Sequence, residues 1–439
     1  MPATAVCPPV PDLVALGGRA EVWETPVSRP ESIAPNPACP PKSYLSPSVA
    51  PRVLQVVNGE HYAGAERVQD LLAEQFDRLG LWNGLVCVKP NKFPEQRLAR
   101  QVPLWSFPMR GKIDLRPAHK LARLIRAQQV QLLHAHGARG ALIASLAGWW
   151  TNTPVVYHVH GQTGVEVGGK WSTWLNATLE RRILQSCAGL IAVSDSTARY
   201  LTEHGAPAHK IHVIPNGVPG RPLRQLVEAS HSFASQSHNG PTLGFVAWLR
   251  PRKGLEVFLD AAAQLLPRFP ALRLWVVGSF ETSAYEAEIK TRAAHLGLSD
   301  HIVWRGFCQP IDAELDMLDV LAFPSVLAEG MPMVLLEALA AGVPIVASRV
   351  PGVTDVIRHE QNGLLVEPQS AAELAGAIEK LLDSSQLRAR MIQAGQQCHA
   401  AEFSDVVMAR RTQQLYAHVL ATQAPSARHS LSKGLALGP

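Results

Sequence analysis

Short apolar runs alternate with stretches of helical periodicity from Arg52 onward, and this alternation constrains the fold more than any other feature. Apolar runs of this length indicate buried strands, and strands that alternate with helices build a parallel sheet covered by helices. The runs form two series, 53–57, 85–88, 130–133, 155–159, 190–193 and 211–214, then 243–249, 272–277, 302–304, 320–323, 344–347 and 364–366. We therefore predict an α/β protein with two doubly wound, Rossmann-like domains and a ligand cleft between them.

The chain has 439 residues, too many for one ordinary core, and its polar segments set the predicted domain boundaries. Residues 1–50 are rich in proline and lack periodicity, which predicts a disordered tail. The first domain is predicted at 51–222, a linker rich in Ser, His and Gln at 223–241, and the second domain at 242–403. A helix at 404–422 is expected to cross back to the first domain, and 423–439 to form a flexible tail.

Charge and cysteine content exclude several classes of protein. The net charge of +5 is small for this length and is not gathered into basic blocks, so we expect no nucleic-acid partner. The six cysteines form no C-x-x-C pair, which argues against a zinc site or a disulfide framework and favours a cytoplasmic protein. We find no pattern of a signal peptide or a membrane span, so any membrane contact is expected to be peripheral, at the inner face.

Two glutamates, Glu329 and Glu337, lie eight positions apart where the apolar run 320–323 gives way to a helix. Pro332 suits the first turn of this helix, and Gly342 suits its end. The helix N-terminus attracts an anion, and the side chain of Glu337 leans back toward the same end. Carboxylates beside a bound anion are reasonable if they accept hydrogen bonds from hydroxyls attached to it. We predict that Glu337 binds the ribose of a nucleotide and Glu329 a second polyol group.

A basic loop containing Arg250, Arg252 and Lys253 follows the first strand of the second series. Cations at this end of a central strand face the predicted cleft, where they can neutralise a departing diphosphate without a metal. A solvated surface loop is the alternative. The chain has no Asp-x-Asp pair, and the passage 164–171 has the spacing of a phosphate-binding loop but Trp171 at the magnesium-binding position. We therefore expect no metal and no cofactor beyond the co-substrate.

Residues that could bind a ligand also follow the predicted strands of the first series. Gly64 opens a helix after the first strand, so its backbone can approach a phosphate or a sugar. Two histidine pairs, His134 with His136 and His158 with His160, follow neighbouring strands. They indicate either a polar site or buried histidines with satisfied hydrogen bonds. A metal is disfavoured because no carboxylate or cysteine joins them at a plausible spacing.

A basic amphipathic helix is predicted between Lys112 and Arg126. Such a helix can rest on an anionic membrane, or it can be an ordinary helix packed on its sheet.

Taken together, these passages resemble the family-4 glycosyltransferases, which are retaining sugar transferases of the GT-B fold. The resemblance runs from Arg52 to about Leu420. Its motifs occur in the family's order and are Gly64-Ala-Glu-Arg67, His160-Gly161, Ile214-Pro-Asn-Gly217-Val, Arg252-Lys253-Gly254 and the Glu-x7-Glu passage from Glu329 to Glu337. The Glu-x7-Glu passage is the most specific of them.

The resemblance implies a nucleotide-sugar donor held mainly by the second domain and a glycan or lipid-linked acceptor held mainly by the first. It implies three catalytic residues, Glu329 for the transferred sugar, Lys253 for the diphosphate and His160 for the donor sugar near the reaction centre. Glu337 would bind the donor ribose. The remaining donor contacts that it implies are the backbone amides of Met333 and Val334 at the diphosphate, Phe307 and Cys308 at the base, and Gly64 at the diphosphate from the other domain.

Two positions depart from the family pattern. Trp248 stands where the family usually has an arginine, so Arg250 or Arg252 is expected to supply that charge. Asp355 stands where the family commonly has a glutamate. We predict a metal-independent, retaining hexosyltransferase of cell-surface polysaccharide or glycolipid synthesis. The alternatives are a nucleotide-sugar epimerase or hydrolase of the same fold, and a catalytically silent sugar-nucleotide-binding partner protein.

Overall fold

A computed structural model of the protein describes residues 51–111, 114–161, 180–221 and 240–423. These ranges leave out the predicted N-terminal tail, the predicted C-terminal tail beyond Gln423, most of the predicted linker, Lys112 and the passage 164–171. Among the helices described, none is long and apolar enough to cross a lipid bilayer.

The first sheet contains seven parallel strands in the order β3-β2-β1-β4-β5-β6-β7. The strands are β1 (Val53–Val57), β2 (Asn83–Cys87), β3 (Leu104–Ser106), β4 (Leu132–His136), β5 (Val155–Val159), β6 (Gly189–Ala192) and β7 (Ile211–Val213). The helices are α1 (Gly64–Arg78), α2 (Phe93–Gln96), α3 (Arg116–Gln128), α4 (Gly137–Thr151) and α5 (Asp195–Glu203). The inner strands are buried on both faces, which explains their apolar sequences.

The second sheet contains six parallel strands in the order β10-β9-β8-β11-β12-β13. The strands are β8 (Thr242–Val246), β9 (Arg273–Val277), β10 (Ile302–Gly306), β11 (Val320–Phe323), β12 (Ile345–Ser348) and β13 (Leu364–Val366). The helices are α6 (Leu255–Leu265), α7 (Ser283–His295), α8 (Asp312–Asp316), α9 (Met333–Ala341), α10 (Ala371–Asp383) and α11 (Ser385–Cys398). The last helix, α12 (Asp405–Gln423), packs against α1 of the first sheet.

These two doubly wound sheets confirm the predicted fold class. In each sheet the strand order reverses at its middle, between β1 and β4 and between β8 and β11. Ligands of doubly wound sheets bind beyond the carboxyl ends of the strands at this reversal. The four helices that begin there are α1, α4, α6 and α9.

Some predicted strand and helix limits were wrong. β3 was not predicted, because it is a short, partly exposed edge strand of three residues. The strand predicted at 130–133 lies at Leu132–His136, so its two histidines point from within the strand into the core. β8 ends at Val246, which places Trp248 in the following loop. The basic helix begins at Arg116, and Pro117 lies in its first turn, where proline is tolerated.

Candidate active site

The N-termini of α1 and α9 meet between the two sheets. Pro332 immediately precedes α9, and Gly342 ends it with φ of 69°, as the sequence predicted. Gly64 begins α1, and a Cβ atom at this position would lie 3.2 Å from the Met333 Cγ atom of α9. The first N–H groups of each helix, including those of Met333 and Val334, have no carbonyl partner within the helix. Both helices therefore direct unpaired donors and positive dipole ends to one place, which suits a diphosphate.

Glu329 lies in the loop before α9, buried against the basic loop that follows β8. The Lys253 ammonium donates to Glu329 Oε1 at 2.7 Å, and Arg252 Nη2 donates to Oε2 at 3.4 Å. The Ser325 hydroxyl also donates to Oε1. Burial lowers the pKa of Lys253, and the Glu329 carboxylate opposes that shift. The structure thus brings Glu329, Lys253 and Arg252 together, with both carboxylate oxygens engaged by cations.

Arg250 lies apart from this ion pair. Its guanidinium stacks over the Trp248 ring at 4.2 Å, and Nη1 lies 3.7 Å from Glu281 Oε1. The His61 ring, from the loop before α1, approaches the same tryptophan at a centroid distance of 5.8 Å. Of the two arginines expected to replace the family's missing charge, Arg252 is therefore the one beside Glu329.

Glu337 makes an ion pair with Arg67 of α1, and the sequence reasoning assigned Arg67 no role. Arg67 Nε lies 3.1 Å from Glu337 Oε1, and both side chains are largely buried. Burial raises the pKa of the Glu337 carboxyl, and the Arg67 charge opposes the rise. The signal that could have identified Arg67 is its position one turn after Gly64, on the side of α1 that faces the cleft.

His160 follows β5, and its backbone abuts the loop that carries Glu329. A Cβ atom on Gly330 would lie only 2.0 Å from the His160 carbonyl oxygen. The two halves of the molecule therefore touch backbone to backbone between the predicted sugar-binding histidine and the predicted sugar-binding glutamate. In its side chain, His160 Nε2 lies 3.1 Å from His136 Nδ1.

The turn predicted to contact the base follows β10. Phe307 is 42% exposed there, whereas the Cys308 side chain is buried and its thiol faces the Arg305 carbonyl. The turn is supported from below by a buried bidentate pair, in which Arg305 donates to Glu314 at 2.9 and 3.0 Å. The indole of Trp275 donates to the same carboxylate at 2.7 Å.

Asp355, the acid that departs from the family pattern, joins the two halves. Its Oδ2 accepts from the Ser196 hydroxyl at 2.6 Å and from the Gly352 N–H at 2.9 Å. Ser196 lies in the first turn of α5, whose N-terminus favours a carboxylate. This contact was missed because the two residues are 159 positions apart in the sequence.

Three fully buried histidines, His134, His136 and His158, each place one nitrogen within 4.8 Å of the others. His136 has both nitrogens engaged, one with His160 and one with Gln55. His134 Nδ1 is bonded to the Tyr416 hydroxyl at 2.6 Å. A metal would have to displace His136 from its hydrogen bonds, so this cluster is poorly suited to a three-histidine site. The expectation that no metal is required stays a prediction.

Comparison with known proteins identifies both halves of the chain. The family model "Glycosyltransferase Family 4" matches residues 62–219, and "Glycosyl transferases group 1" matches residues 228–398. Together they cover about three quarters of the sequence. The chain belongs to the GT-B glycosyltransferases.

Named relatives of this glycosyltransferase act on several acceptors. The D-inositol 3-phosphate glycosyltransferase of Acidothermus cellulolyticus is 29% identical over an alignment of 349 residues, and the match covers 71% of this chain and 75% of the relative. The phosphatidyl-myo-inositol mannosyltransferase of Mycobacterium leprae is 34% identical over 211 residues, 47% of this chain and 53% of the relative. The crystal structure of HepE from Anabaena in complex with UDP superimposes with a TM-score of 0.71 at 21% identity, covering 84% of this chain and all of HepE.

Proposed function

We propose that this glycosyltransferase moves a hexose from a UDP-hexose to a glycan or lipid-linked acceptor, with retention of the anomeric configuration and without a metal. The proposed donor is supported by the solved complexes of HepE with UDP and with UDP-glucose. A hexose is supported by relatives named as a glucosyltransferase and a mannosyltransferase. Polysaccharide or glycolipid synthesis as the setting is supported by one relative named for an exopolysaccharide and by another named for phosphatidyl-myo-inositol, a lipid.

The observation that carries the proposal is the pair of ion pairs at the meeting helix N-termini. Each acid of the Glu-x7-Glu passage holds a cation there, Glu329 with Lys253 and Glu337 with Arg67. A nucleotide sugar carries both an anionic group and hydroxyls, so it can replace both partners of each ion pair. Its diphosphate can take the cations and the helix N–H groups, and its ribose and sugar hydroxyls can donate to the carboxylates. A simple anion would satisfy only the cations and would leave two buried carboxylates without partners.

Retention follows if the acceptor attacks on the face from which UDP departs. The bond between the sugar C1 atom and the β-phosphate oxygen breaks, and a bond from C1 to the acceptor oxygen forms. The acceptor proton passes to an oxygen of the leaving diphosphate. Lys253 and the N-terminus of α9 stabilise the charge that develops on UDP. Because the acceptor oxygen attacks C1 directly, no protein nucleophile is required, and Glu329 is left to orient the sugar beside Lys253.

The test is turnover of UDP-glucose, UDP-galactose and GDP-mannose by the full chain, with a panel of glycan and lipid-linked acceptors and with EDTA present. NMR of the product should show the anomeric configuration of the donor. Glu337→Ala should abolish donor turnover, and unchanged activity in that variant would refute the site assignment. Lys253→Ala should slow transfer roughly a hundredfold or more, since it removes a group that stabilises the leaving charge. Lys290→Ala, at an exposed lysine of α7, is the matched control.

The residue at position 248 is a reason to test, in the same experiment, whether the protein is a catalytically silent partner that only binds sugar nucleotides. Trp248 is 40% exposed at a position where the family usually has an arginine. If the wild-type protein binds UDP-glucose without turnover and Trp248→Arg restores transfer, the protein is a binding partner. Release of free glucose without any acceptor would instead identify a hydrolase.

We also propose that the α3 side of the first domain contacts an anionic membrane at its cytoplasmic face. The exposed face of α3 carries four cations, Arg116, Lys120, Arg123 and Arg126. The neighbouring end of α4 exposes Trp149 and Trp150 by 79% and 40%. Arg126 donates to the Trp150 carbonyl at 3.1 Å, so the basic and aromatic groups belong to one surface. Tryptophan beside lysine and arginine is typical of helices at a membrane interface.

Vesicle sedimentation tests this surface. Binding to phosphatidylglycerol vesicles should fall about a hundredfold when Lys120, Arg123 and Arg126 are all changed to serine, because each cation contributes ~1 kcal/mol at an anionic surface. The control changes three other exposed cations, which lie in the second domain: Arg268, Lys290 and Lys380. Equal binding to phosphatidylcholine vesicles, or equal loss in the control, would contradict the proposal.

A further inference from the structure

His160 has one nitrogen whose hydrogen-bond partner is missing. Its Nε2 faces His136 at 3.1 Å, but its Nδ1 is buried and has no partner among the described residues. A buried polar atom without a partner is destabilising, so a ligand group that reaches it is favoured. Whether this nitrogen offers a proton or a lone pair decides which ligand groups can bind. The hydrogen bonds behind His160 answer that question.

The hydrogen-bond chain begins at two backbone carbonyls. Asn83 Nδ2 lies 3.3 Å from the Ala73 oxygen and 3.4 Å from the Leu81 oxygen. Carbonyl oxygens only accept, so the asparagine must turn its NH₂ group toward them. Its Oδ1 atom therefore faces the other way, toward Gln55 Nε2 at 3.5 Å.

The orientation of the Asn83 amide group fixes the orientation of the Gln55 amide group, which lies at the centre of the first sheet. Because its NH₂ group faces the oxygen of Asn83, its own oxygen faces His136 Nε2 at 3.1 Å. That oxygen only accepts, so His136 carries its proton on Nε2. Burial lowers the pKa of His136 well below its usual range and that of His160 to about 4, which keeps both rings neutral. A neutral imidazole has one donor and one acceptor, so His136 Nδ1 is an acceptor.

The last step fixes His160. Since His136 Nδ1 accepts, His160 Nε2 must carry the proton that it donates at 3.1 Å. Its Nδ1 is then left with a lone pair. The position of every proton in this series of hydrogen bonds, from Asn83 to His160, is thus fixed by the two carbonyl oxygens beside Asn83. The reversed arrangement would turn the Asn83 oxygen against two carbonyl oxygens.

We propose that Asn83, Gln55 and His136 are positioning residues that hold His160 as a hydrogen-bond acceptor, so that it selects a sugar hydroxyl. This inference rests on the proposed function for the identity of the ligand as a sugar nucleotide. His160 in this tautomer accepts from a hydroxyl and repels a phosphate or carbonyl oxygen. A site built to bond a hydroxyl discriminates strongly against analogues that lack it. We call the hydrogen-bonded series Asn83, Gln55, His136 and His160 the relay. Because of it, one hydroxyl of the transferred hexose is required for efficient transfer.

Two substitutions at Gln55 separate positioning from packing. Gln55→Met removes the oxygen that faces His136 and replaces the glutamine with an apolar side chain of similar length. Gln55→Glu keeps that oxygen, and its buried, protonated carboxyl can donate to Asn83 as the amide did. Gln69→Met is the matched control, since Gln69 is equally buried in α1 and lies outside the relay.

The first measurement is NMR of the ligand-free full chain labelled with ¹⁵N-histidine, with His136→Gln and His160→Asn used to assign the signals. We expect the Nε2–H tautomer at His160 in the wild type, in Gln55→Glu and in Gln69→Met, and a tautomer mixture in Gln55→Met. A wild-type protein with the proton on His160 Nδ1 would overturn the proposal, and so would an unchanged tautomer in Gln55→Met. This readout needs no turnover, so it remains valid if the proposed function fails.

The second measurement compares UDP-glucose with its 3-, 4- and 6-deoxyfluoro analogues. In the wild type, kcat/KM should fall at least about tenfold for one analogue, because fluorine cannot donate to His160. Gln55→Met should reduce this discrimination, whereas Gln55→Glu should retain it. Equal discrimination in all variants would contradict the relay. Thermal unfolding of each variant checks that the fold is kept.

Discussion

At the scale of single residues, Gly330 sets how closely the two halves approach. The atom that an alanine would add meets the His160 carbonyl oxygen at 2.0 Å, and a backbone atom cannot move away as a flexible side chain can. We expect Gly330→Ala to displace Glu329 and to lower transfer about a hundredfold, as small misplacements at a reaction centre do. The measurement is kcat/KM with UDP-glucose.

Gly376 supplies the control. It lies within α10, and no atom would approach an added Cβ within 4 Å. Gly376→Ala should leave transfer unchanged and raise the free energy of unfolding by about 0.5–1 kcal/mol, because alanine favours the helix. Equal activities of the two variants would show that the contact at Gly330 is unimportant.

The charge of Glu337 predicts a pH dependence of donor binding. If Glu337 binds the donor ribose as proposed, its ionised carboxylate can accept from two hydroxyls, whereas the protonated acid loses part of that capacity. Because burial raises the pKa of Glu337, the carboxylate is protonated at a higher pH than an ordinary glutamate. As the pH is lowered, affinity for UDP-glucose should therefore begin to fall at a higher pH. Arg67→Ala removes the charge that lowers this pKa, so it should move the fall to higher pH.

Calorimetric titration of UDP-glucose across the acid range measures this dependence. UDP-glucose is the suitable probe because its diphosphate has no group that titrates there. Glu337→Gln should bind weakly with no such pH dependence. If the glutamine variant keeps the wild-type profile, another group is responsible.

At the scale of elements, the turn from β10 to α8 depends on a buried ion pair. Glu314→Ala removes the buried carboxylate that accepts from both Arg305 and Trp275, so it should cost about 3–5 kcal/mol of unfolding free energy. Asp260→Ala breaks the exposed pair with Arg292 and should cost less than about 1 kcal/mol. Urea unfolding compares the two variants. Similar costs would mean that the buried pair does not stabilise the turn.

Sequence periodicity predicted strands and helices well where one element buries a continuous apolar face. Both sheets and α9, with its proline start and glycine end, were recognisable for that reason. It failed where polar residues lie inside strands. His134, His136 and Gln55 are all fully buried, and their hydrogen-bond partners are distant in sequence: Gln55 and His136 bond to each other across neighbouring strands, and His134 bonds to Tyr416 of α12. No local pattern distinguishes such residues from those of a loop.

At the scale of the whole molecule, α12 joins the segment that follows the second sheet to the first half of the protein. The Tyr416 hydroxyl bonds to His134 Nδ1 at 2.6 Å, and Asp405 accepts from Gln75 at 2.7 Å. Tyr416→Phe leaves the buried histidine nitrogen without a partner and should cost about 1–3 kcal/mol. Val406→Ala, at an exposed position of the same helix, should cost much less. Urea unfolding that shows no difference between them would contradict a structural role for this bond.

The sequence by itself determined the fold class, the two series of strands and the candidate acids and cations, because each depends on residues close together in the chain. Only the tertiary structure decided their partners. Arg67 meets Glu337, Ser196 meets Asp355, and Gln55 meets His136. These contacts join residues 81 to 270 positions apart, and only strand pairing within the first sheet or the packing of the two halves brings them within bonding distance.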